Sequence, residues 1–235
     1  PVCFDAGISI GSAYYYYSKH SKDIQPLKNV YIGHHEKEYN LDGLDVKKVS
    51  YDDIIDLIVE KNAVALFQGK SEAGQRSLGN RSLLFDPRIS NGKELVNEIK
   101  KRENYRPFAG SILLEEASKW FKMLSLKESP YMQYAVDAHD NAIEEVPAII
   151  HADNTCRIQT VSKDQNKHFY ELIHTFFKRT NVPILLNTSF NLGGEPLVET
   201  FDHAIKTLKN SKIEYLYLPE IETLVTIKNK KFSYA

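Results

Sequence analysis

Phe67-Gln68-Gly69-Lys70-Ser71-Glu72-Ala73-Gly74-Gln75-Arg76-Ser77-Leu78-Gly79-Asn80-Arg81-Ser82 is the stretch on which the reading of this chain turns. It continues an apolar run, Ala63-Val64-Ala65-Leu66-Phe67, that reads as a buried strand. Gly69, Gly74 and Gly79 then alternate with Lys70, Arg76 and Arg81. Glycine turns let backbone N–H groups approach an anion closely, and arginine forks and lysine point charges suit phosphate and carboxylate groups. From Gly69 to Arg106 there are nine basic residues (Lys70, Arg76, Arg81, Arg88, Lys93, Lys100, Lys101, Arg102, Arg106). The same segment has five acidic ones (Glu72, Asp86, Glu94, Glu98, Glu103), a local excess of four positive charges in a chain of net charge −1. The segment reads as a binding site for a small polyanion, with a solvated basic face as the alternative.

Working outward, the 235 residues are 42% hydrophobic and 26% charged, the composition of a globular chain large enough to bury a core without staples. No stretch approaches the roughly 20 apolar residues of a membrane helix. The balanced charge argues against a nucleic-acid coat. Two cysteines, Cys3 and Cys156, cannot form a disulfide scaffold, and with no signal-peptide pattern they point to a reducing, cytoplasmic location. No Cys or His spacing resembles a zinc site, and the adjacent His34 and His35 make a poor metal pair.

Hydrophobic periodicity alternates strands with helices throughout, which places the chain in the α/β or α+β class. Val2-Cys3-Phe4 is a short apolar run. Gly7 and Gly11 open a helix carrying Tyr14 to Tyr17; four consecutive tyrosines cover every side, so this helix is expected to touch several neighbours. Residues 18–49 read as a linker with one short strand at 30–32. Ser50 is expected to cap a helix whose inner face carries Tyr51, Ile54, Ile55 and Ile58. Residues 69–88 read as a loop. A helix follows over 92–101, a strand over 108–114 and a helix over 115–121, with loop signals over 124–145. Strands are expected at 147–150 and 157–161, a helix at 165–179 and a strand at 182–186. Asn187 to Pro196 reads as a polar loop, Thr200 as the cap of a helix over 201–209, and two strands close the chain near 213–218 and 222–228.

Four ordered blocks carry a family resemblance. Gly74-Gln75-Arg76-Ser77-Leu78-Gly79-Asn80-Arg81-Ser82 resembles the Gly-Pro-Arg-Ala-Leu-Gly-Asn-Arg-Ser signature of the NodU/CmcH/TobZ-type O-carbamoyltransferases, with Gln75 for the proline and Ser77 for the alanine. Lys100 to Ala109 is similar to the family's Lys-x-Arg-Glu-x-x-Arg-Pro-Phe-Ala. His151-Ala152-Asp153-Asn154-Thr155-Cys156-Arg157-Ile158-Gln159-Thr160-Val161 resembles its His-x-Asp-Gly-Thr-x-Arg-x-Gln-x-Val. Asn187-Thr188-Ser189-Phe190-Asn191, followed by Gly194-Glu195-Pro196, resembles its Asn-Thr-Ser-Phe-Asn and Gly-Glu-Pro.

The resemblance implies a YrdC-like carboxyl-terminal domain, a twisted mixed sheet with surrounding helices, over residues 50–235. Residues 25–49 would be a linker, and residues 1–24 the tail of an actin/Hsp70-like domain whose remainder lies elsewhere. The chain, which opens on Pro1, is then expected to be a piece of a longer protein. The implied activity is formation of a carbamoyl-adenylate from carbamoyl phosphate and ATP, with Mg²⁺, for transfer to a hydroxylated small-molecule acceptor by the other domain. Iron is implied in that domain. Asp5 matches its metal-ligand aspartate, with histidine partners upstream, so no occupied metal site is expected in this chain.

The resemblance also assigns residues. Lys100 and Arg102 would neutralise phosphate oxygens and act catalytically, although a helix end favoured by its macrodipole is the plainer alternative. Arg106 would extend that cradle. Ser189 and Asn191, and with less weight Asn187, would bind phosphate or the carbamoyl group, against a self-stabilised turn. Arg76, Asn80 and Arg81 would bind nucleotide or carbamoyl phosphate, against a packing loop, with Glu72 orienting an arginine. Arg157 would bind phosphate, His151 reads as a structural histidine, and Cys156 as a small core residue. An RNA-binding module and a threonylcarbamoyl-adenylate synthase-like enzyme are the rival readings.

Overall fold

Ser50 does what its position predicts. In the computed structural model, which describes residue 2 and residues 5–228, its side chain accepts the backbone N–H of Asp53. The Asp53 carboxylate accepts from the Ser50 backbone in return, closing a capping box. The helix so started, α2 (Tyr51–Val59), buries Ile54, Ile55 and Ile58. It packs against the longest amphipathic helix, α6 (Lys167–Thr180), which is capped by Asn166 and buries Phe169, Leu172, Ile173 and Phe176.

These helices lie on a mixed nine-stranded sheet. Its strands, in spatial order, are β2 (Asp45–Lys48), β11 (Thr223–Thr226), β10 (Tyr215–Leu218), β3 (Val64–Phe67), β5 (Arg81–Phe85), β9 (Ile184–Ser189), β6 (Ala109–Leu113), β8 (Thr155–Val161) and β7 (Ala135–Asp137). Two pairs, β10–β3 and β6–β8, are parallel and the rest antiparallel. The central strands β3, β5 and β6 are buried along their whole length, the pattern of a sheet covered on both faces. A second, two-stranded sheet joins β1 (Tyr31–His35) to β4 (Lys70–Glu72). Further helices are α3 (Gly92–Ile99), α4 (Ala117–Trp120), α5 (Asp140–Glu145) and α7 (Phe201–Lys209), the last capped by Thr200 as expected.

Several expectations are corrected. Residues 69–88 are not a loop throughout, because β4 and β5 lie within them. Residues 147–149 form a 3-10 turn rather than a strand: Pro147 lacks the N–H a ladder needs. Asn187, Thr188 and Ser189 end β9 instead of opening a loop. Residues 45–48 and 135–137 are strands and 140–145 a helix, all too short or too polar to be legible as such. The tyrosine-rich helix, α1 (Asp5–His20), forms but buries no residue; Ile8, Tyr15, Tyr16 and Tyr17 are exposed. Cys3 and Phe4 lie outside the described residues.

The glycine- and arginine-rich segment is held by two buried ionisable side chains. Glu72 Oε1 accepts the backbone N–H groups of Leu78 and Asn80 at 2.7 Å and of Arg81 at 3.2 Å. Burial pushes its carboxyl up while these N–H groups pull it down. Glu72 therefore organises the turn through its amides and does not orient a guanidinium. Arg81 is fully buried, stacked on the Phe67 ring, and donates to the carbonyls of Gln68, Gly69, Asn80, His34 and Glu199. One side chain thus fastens β3, β1 and the approach to α7 together.

Glu72→Ala would strand three buried N–H donors, each worth on the order of 1–3 kcal/mol. Urea unfolding is expected to show a loss of roughly 3 kcal/mol or more; a loss under ~1 kcal/mol would mean the turn holds without this carboxylate.

Candidate functional site

Strand register assembles one wall of the site. Ala109 of β6 lies opposite both Asn187 of β9 and Arg157 of β8, so these three share a face in one row, and Ser189, two residues beyond Asn187, shares that face too. Asn187 is buried in a polar network: its Nδ2 donates to Ser111 Oγ at 2.9 Å, to Gln159 Oε1 at 3.2 Å and to the Ser77 carbonyl at 3.3 Å, while its Oδ1 accepts from Ser77 Oγ. The network ties the strand end to the Gly74–Gly79 turn and sets Arg76 beside Arg157.

The opposite wall comes from the end of α3. The N–H of Lys101 bonds to the Glu98 carbonyl and the N–H of Arg102 to the Asn97 carbonyl, at 3.0 and 3.1 Å, the Schellman pattern of helix ends. The left-handed residue this motif requires is Lys101, at φ +54°. Lys100 and Arg102 flank it and are thrown inward. A Cβ on Gly193 would come within 2.8 Å of the Lys101 carbonyl, and the Gly193 N–H bonds to the Lys100 carbonyl at 2.7 Å. The Gly193 loop therefore seats directly on the helix end.

Lys100 is buried. Its ammonium donates to the carbonyl and hydroxyl of Ser189 and to the carbonyl and Oδ1 of Asn191, the last two at 3.0 Å. All of these acceptors are uncharged, so burial, and after it the positive charge of Arg102, draw the Lys100 ammonium down to about 7. Burial, then Arg106, likewise lowers Arg102 to about 10. Arg102 stacks on Phe108, and its buried Nη2 has no hydrogen-bond partner among the described residues.

Two cavities meet here. The larger, about 730 Å³, is lined by Lys100, Lys101, Arg102, Glu103, Arg106, Ser189, Asn191 and the Leu192–Glu195 loop. The smaller, about 90 Å³, lies between Arg76, Arg102, Arg157, Asn187, Ser189, Phe108 and their neighbours. Arg102 and Ser189 belong to both. Together the cavities collect six basic side chains against two carboxylates, Glu103 and Glu195. Arg106 is paired with Glu103 at 2.7 Å at the exposed rim. Among the described residues the smaller cavity is lined by three arginines and no carboxylate, which makes it an anion trap.

Of the residues singled out from sequence, Lys100, Arg102, Arg106, Arg76, Arg157, Asn187, Ser189 and Asn191 converge here. Asn80 and Arg81 do not: Asn80 bonds to the Lys70 carbonyl and to Asn166, and Arg81 is consumed by the fold. His151 bonds to Thr155 and the Phe108 carbonyl. Cys156 is buried, and its thiol is pushed up to about 12. Asp5 opens the exposed α1, and no group of three or more His, Cys, Asp or Glu placed to hold a metal ion occurs among the described residues. Among the same residues no helix is long and apolar enough to cross a membrane. Asn97 escaped sequence reading; its only signal was its place three residues before Lys100.

Comparison with known proteins gives this geometry a context. A family model described as carbamoyltransferase C-terminus matches residues 55–224. The nodulation protein NolNO of Sinorhizobium fredii is 37% identical over 92% of this chain and 34% of its own length. NolO of Bradyrhizobium diazoefficiens is 37% identical over 92% of the chain and 42% of its own length. The 3'-hydroxymethylcephem-O-carbamoyltransferase of Amycolatopsis lactamdurans is 34% identical over 65% and 28%. The chain thus spans well under half of these relatives. Among solved structures, full-length HypF in its phosphate- and nucleotide-bound form superposes with a TM-score of 0.51 at 15% identity, over 80% of this chain and 23% of HypF. P. abyssi Sua5 complexed with L-threonine superposes with 0.51 at 16%, over 72% and 46%. The fold is the YrdC-like one.

The lowered Lys100 ammonium has a measurable consequence. Its ordinary value is 10.5, so between about pH 7 and 10.5 the unfolded chain holds a proton here that the folded one does not, and this group's contribution to stability rises with pH across that window. A bound anion favours the charged form. Titration calorimetry with inorganic pyrophosphate at pH 8, in buffers of different ionisation heat, is expected to show proton uptake that Lys100→Met abolishes; binding without uptake would show that Lys100 is already charged.

Proposed function

Because the chain belongs to the carbamoyltransferase C-terminus family, we propose that it forms the adenylate-making part of an O-carbamoyltransferase, joining carbamoyl phosphate and ATP into carbamoyl-AMP. The observation that carries this reading is the pair of adjoining basic cavities of unequal size that share Arg102 and Ser189. The larger falls in the roughly 300–1,000 Å³ range of small-molecule sites and suits a nucleoside triphosphate. The smaller suits a group of a few atoms bearing negative charge, such as carbamate.

In this reading water cleaves the O–P bond of carbamoyl phosphate to give carbamate and inorganic phosphate, and a carbamate oxygen attacks the α-phosphorus of ATP. The bond from that phosphorus to the oxygen bridging it to the β-phosphate breaks, and pyrophosphate leaves. Both reactants are anions, so their approach is opposed by charge. Arg76 and Arg157 would hold the carbamoyl species, and Lys100 and Arg102 the triphosphate. Arg102, standing at the join, would act on both. Fixed cations in a partly dry pocket lower the barrier electrostatically and align the reactants. Ser189 and Asn191, already bonded to the Lys100 ammonium, would exchange those contacts for phosphate oxygens. Mg²⁺ would enter with the nucleotide and offset charge on its β- and γ-phosphates.

The nucleotide- and phosphate-bound state of HypF supports this choice of ligands. The curated relatives, two nodulation proteins and a cephem carbamoyltransferase, favour a hydroxylated small-molecule acceptor over the threonine that Sua5 binds in its complex. The net charge of −1 disfavours an RNA-binding role. We assign transfer to the acceptor to a further domain. The bare surface of α1 supports reading residues 1–24 as the edge of that domain, where Asp5 would lie. The iron implied there has no ligand set among the described residues.

Incubating the folded chain with carbamoyl phosphate, ATP and Mg²⁺ is expected to release pyrophosphate. A folded chain that neither releases pyrophosphate nor binds ATP in calorimetry would overturn the reading. Arg102→Ala is expected to weaken ATP binding about tenfold or more, the order of one or two charge-assisted hydrogen bonds, with little change in the thermal midpoint. A large drop in the midpoint would make Arg102 a structural residue.

A further inference from the structure

Asn97 is fully buried on the last turn of α3, and every polar group of its side chain is committed to the segment that bears the cations. Its Oδ1 accepts from Arg102 Nε at 2.5 Å. Its Nδ2 donates to the carbonyls of Arg106, at 3.1 Å, and Asn104, at 3.3 Å. Its own carbonyl accepts the Arg102 N–H at 3.1 Å. One residue therefore pins both ends of the 102–106 segment, and burial makes each of these bonds costly to leave unmade.

The chemistry of the amide matters as much as its place. With Nε bound to Asn97 and the guanidinium carbon over the Phe108 ring at 4.5 Å, Arg102 has one orientation; its side chain lines both cavities, and its buried Nη2 has no hydrogen-bond partner among the described residues. A carboxylate at position 97 would hold the same orientation but neutralise the cation and lose both donors. A neutral acceptor aligns the guanidinium and leaves its charge for an incoming anion.

We propose that Asn97 is a positioning residue of the site, an uncharged acceptor that aims Arg102 into the junction of the two cavities while keeping its full positive charge available to the anionic ligand. The importance given to that ligand rests on the carbamoyl-adenylate reading; the positioning itself does not.

Two measurements test it. The first is a double-mutant cycle on pyrophosphate and Mg-ATP affinity by calorimetry. Asn97→Ala is expected to weaken binding about tenfold when Arg102 is present and less than twofold in an Arg102→Ala background. Equal losses in both backgrounds, or no loss in either, would overturn the proposal. Asn97→Asp keeps the acceptor and the volume and is expected to bind about tenfold more weakly than wild type; wild-type affinity would refute the need for a neutral acceptor. The second is solvent exchange of the Arg102 Nε–H by NMR in the ligand-free chain. Slow exchange is expected in wild type and Asn97→Asp and fast exchange in Asn97→Ala. Fast exchange in wild type alone would sink the proposal even if both variants failed to fold. Protected Nε–H with no binding of either probe would leave Asn97 as the positioner and refute the ligand reading instead.

Discussion

The lock between the end of α3 and the end of β9 is the constraint on which the rest of the site depends. The Lys100 ammonium is surrounded by oxygens of Ser189 and Asn191, and Gly193 seats its N–H on the carbonyl of the same lysine. Two segments some ninety residues apart in sequence are held by one buried lysine, and the larger cavity is the space they enclose. The acceptors carry no formal charge, so the lysine is solvated without being neutralised. An ion pair would have been a more ordinary way to bury it, but it would have cancelled the field that makes the cavity attractive to anions.

The same economy of charge recurs around it. Arg102 is oriented by an amide and an aromatic face, not by a carboxylate. Burial, and after it the positive charge of Arg157, lowers the Arg76 guanidinium in a cavity that no carboxylate among the described residues lines. Of the carboxylates in the basic segment, Asp86 and Glu103 pair with Arg88 and Arg106 outside the smaller cavity, and the buried Glu72 accepts three backbone amides. Mutual repulsion among these cations is stored by the fold and relieved when an anion enters, which is the sense in which the site is prepared for a polyanionic ligand.

A Schellman helix end with lysine in the left-handed position explains the spacing of the Lys-x-Arg element. The middle residue reverses the chain, and its flanking residues both project toward the pocket. In the same way the Asn-x-Ser spacing on β9 follows from the two-residue repeat of a strand, which puts Asn187 and Ser189 on one face while Leu186 and Thr188 serve the other. Spacing that reads as a motif in one dimension is the footprint of these two backbone geometries.

Local rules in the sequence determined much of this protein. The capping residues Ser50 and Thr200, the apolar faces of α2 and α6, the buried strand at Val64–Phe67 and the concentration of cations between Gly69 and Arg106 were all legible, because caps, periodicity and charge act over a few residues. The rest was decided by tertiary structure. Arg76 and Arg81 sit five residues apart with the same chemistry, yet one faces a cavity and the other is buried as a tie between strands, since strand pairing places Arg81 next to Phe67 and the carbonyls that consume its donors. Asn97 looked like an ordinary helical residue until the chain reversed over it and brought Arg102 within reach. Which cations remain available to a ligand depends on which carbonyls and amides the fold brings near them, and that proximity is set by pairings between segments far apart in the chain.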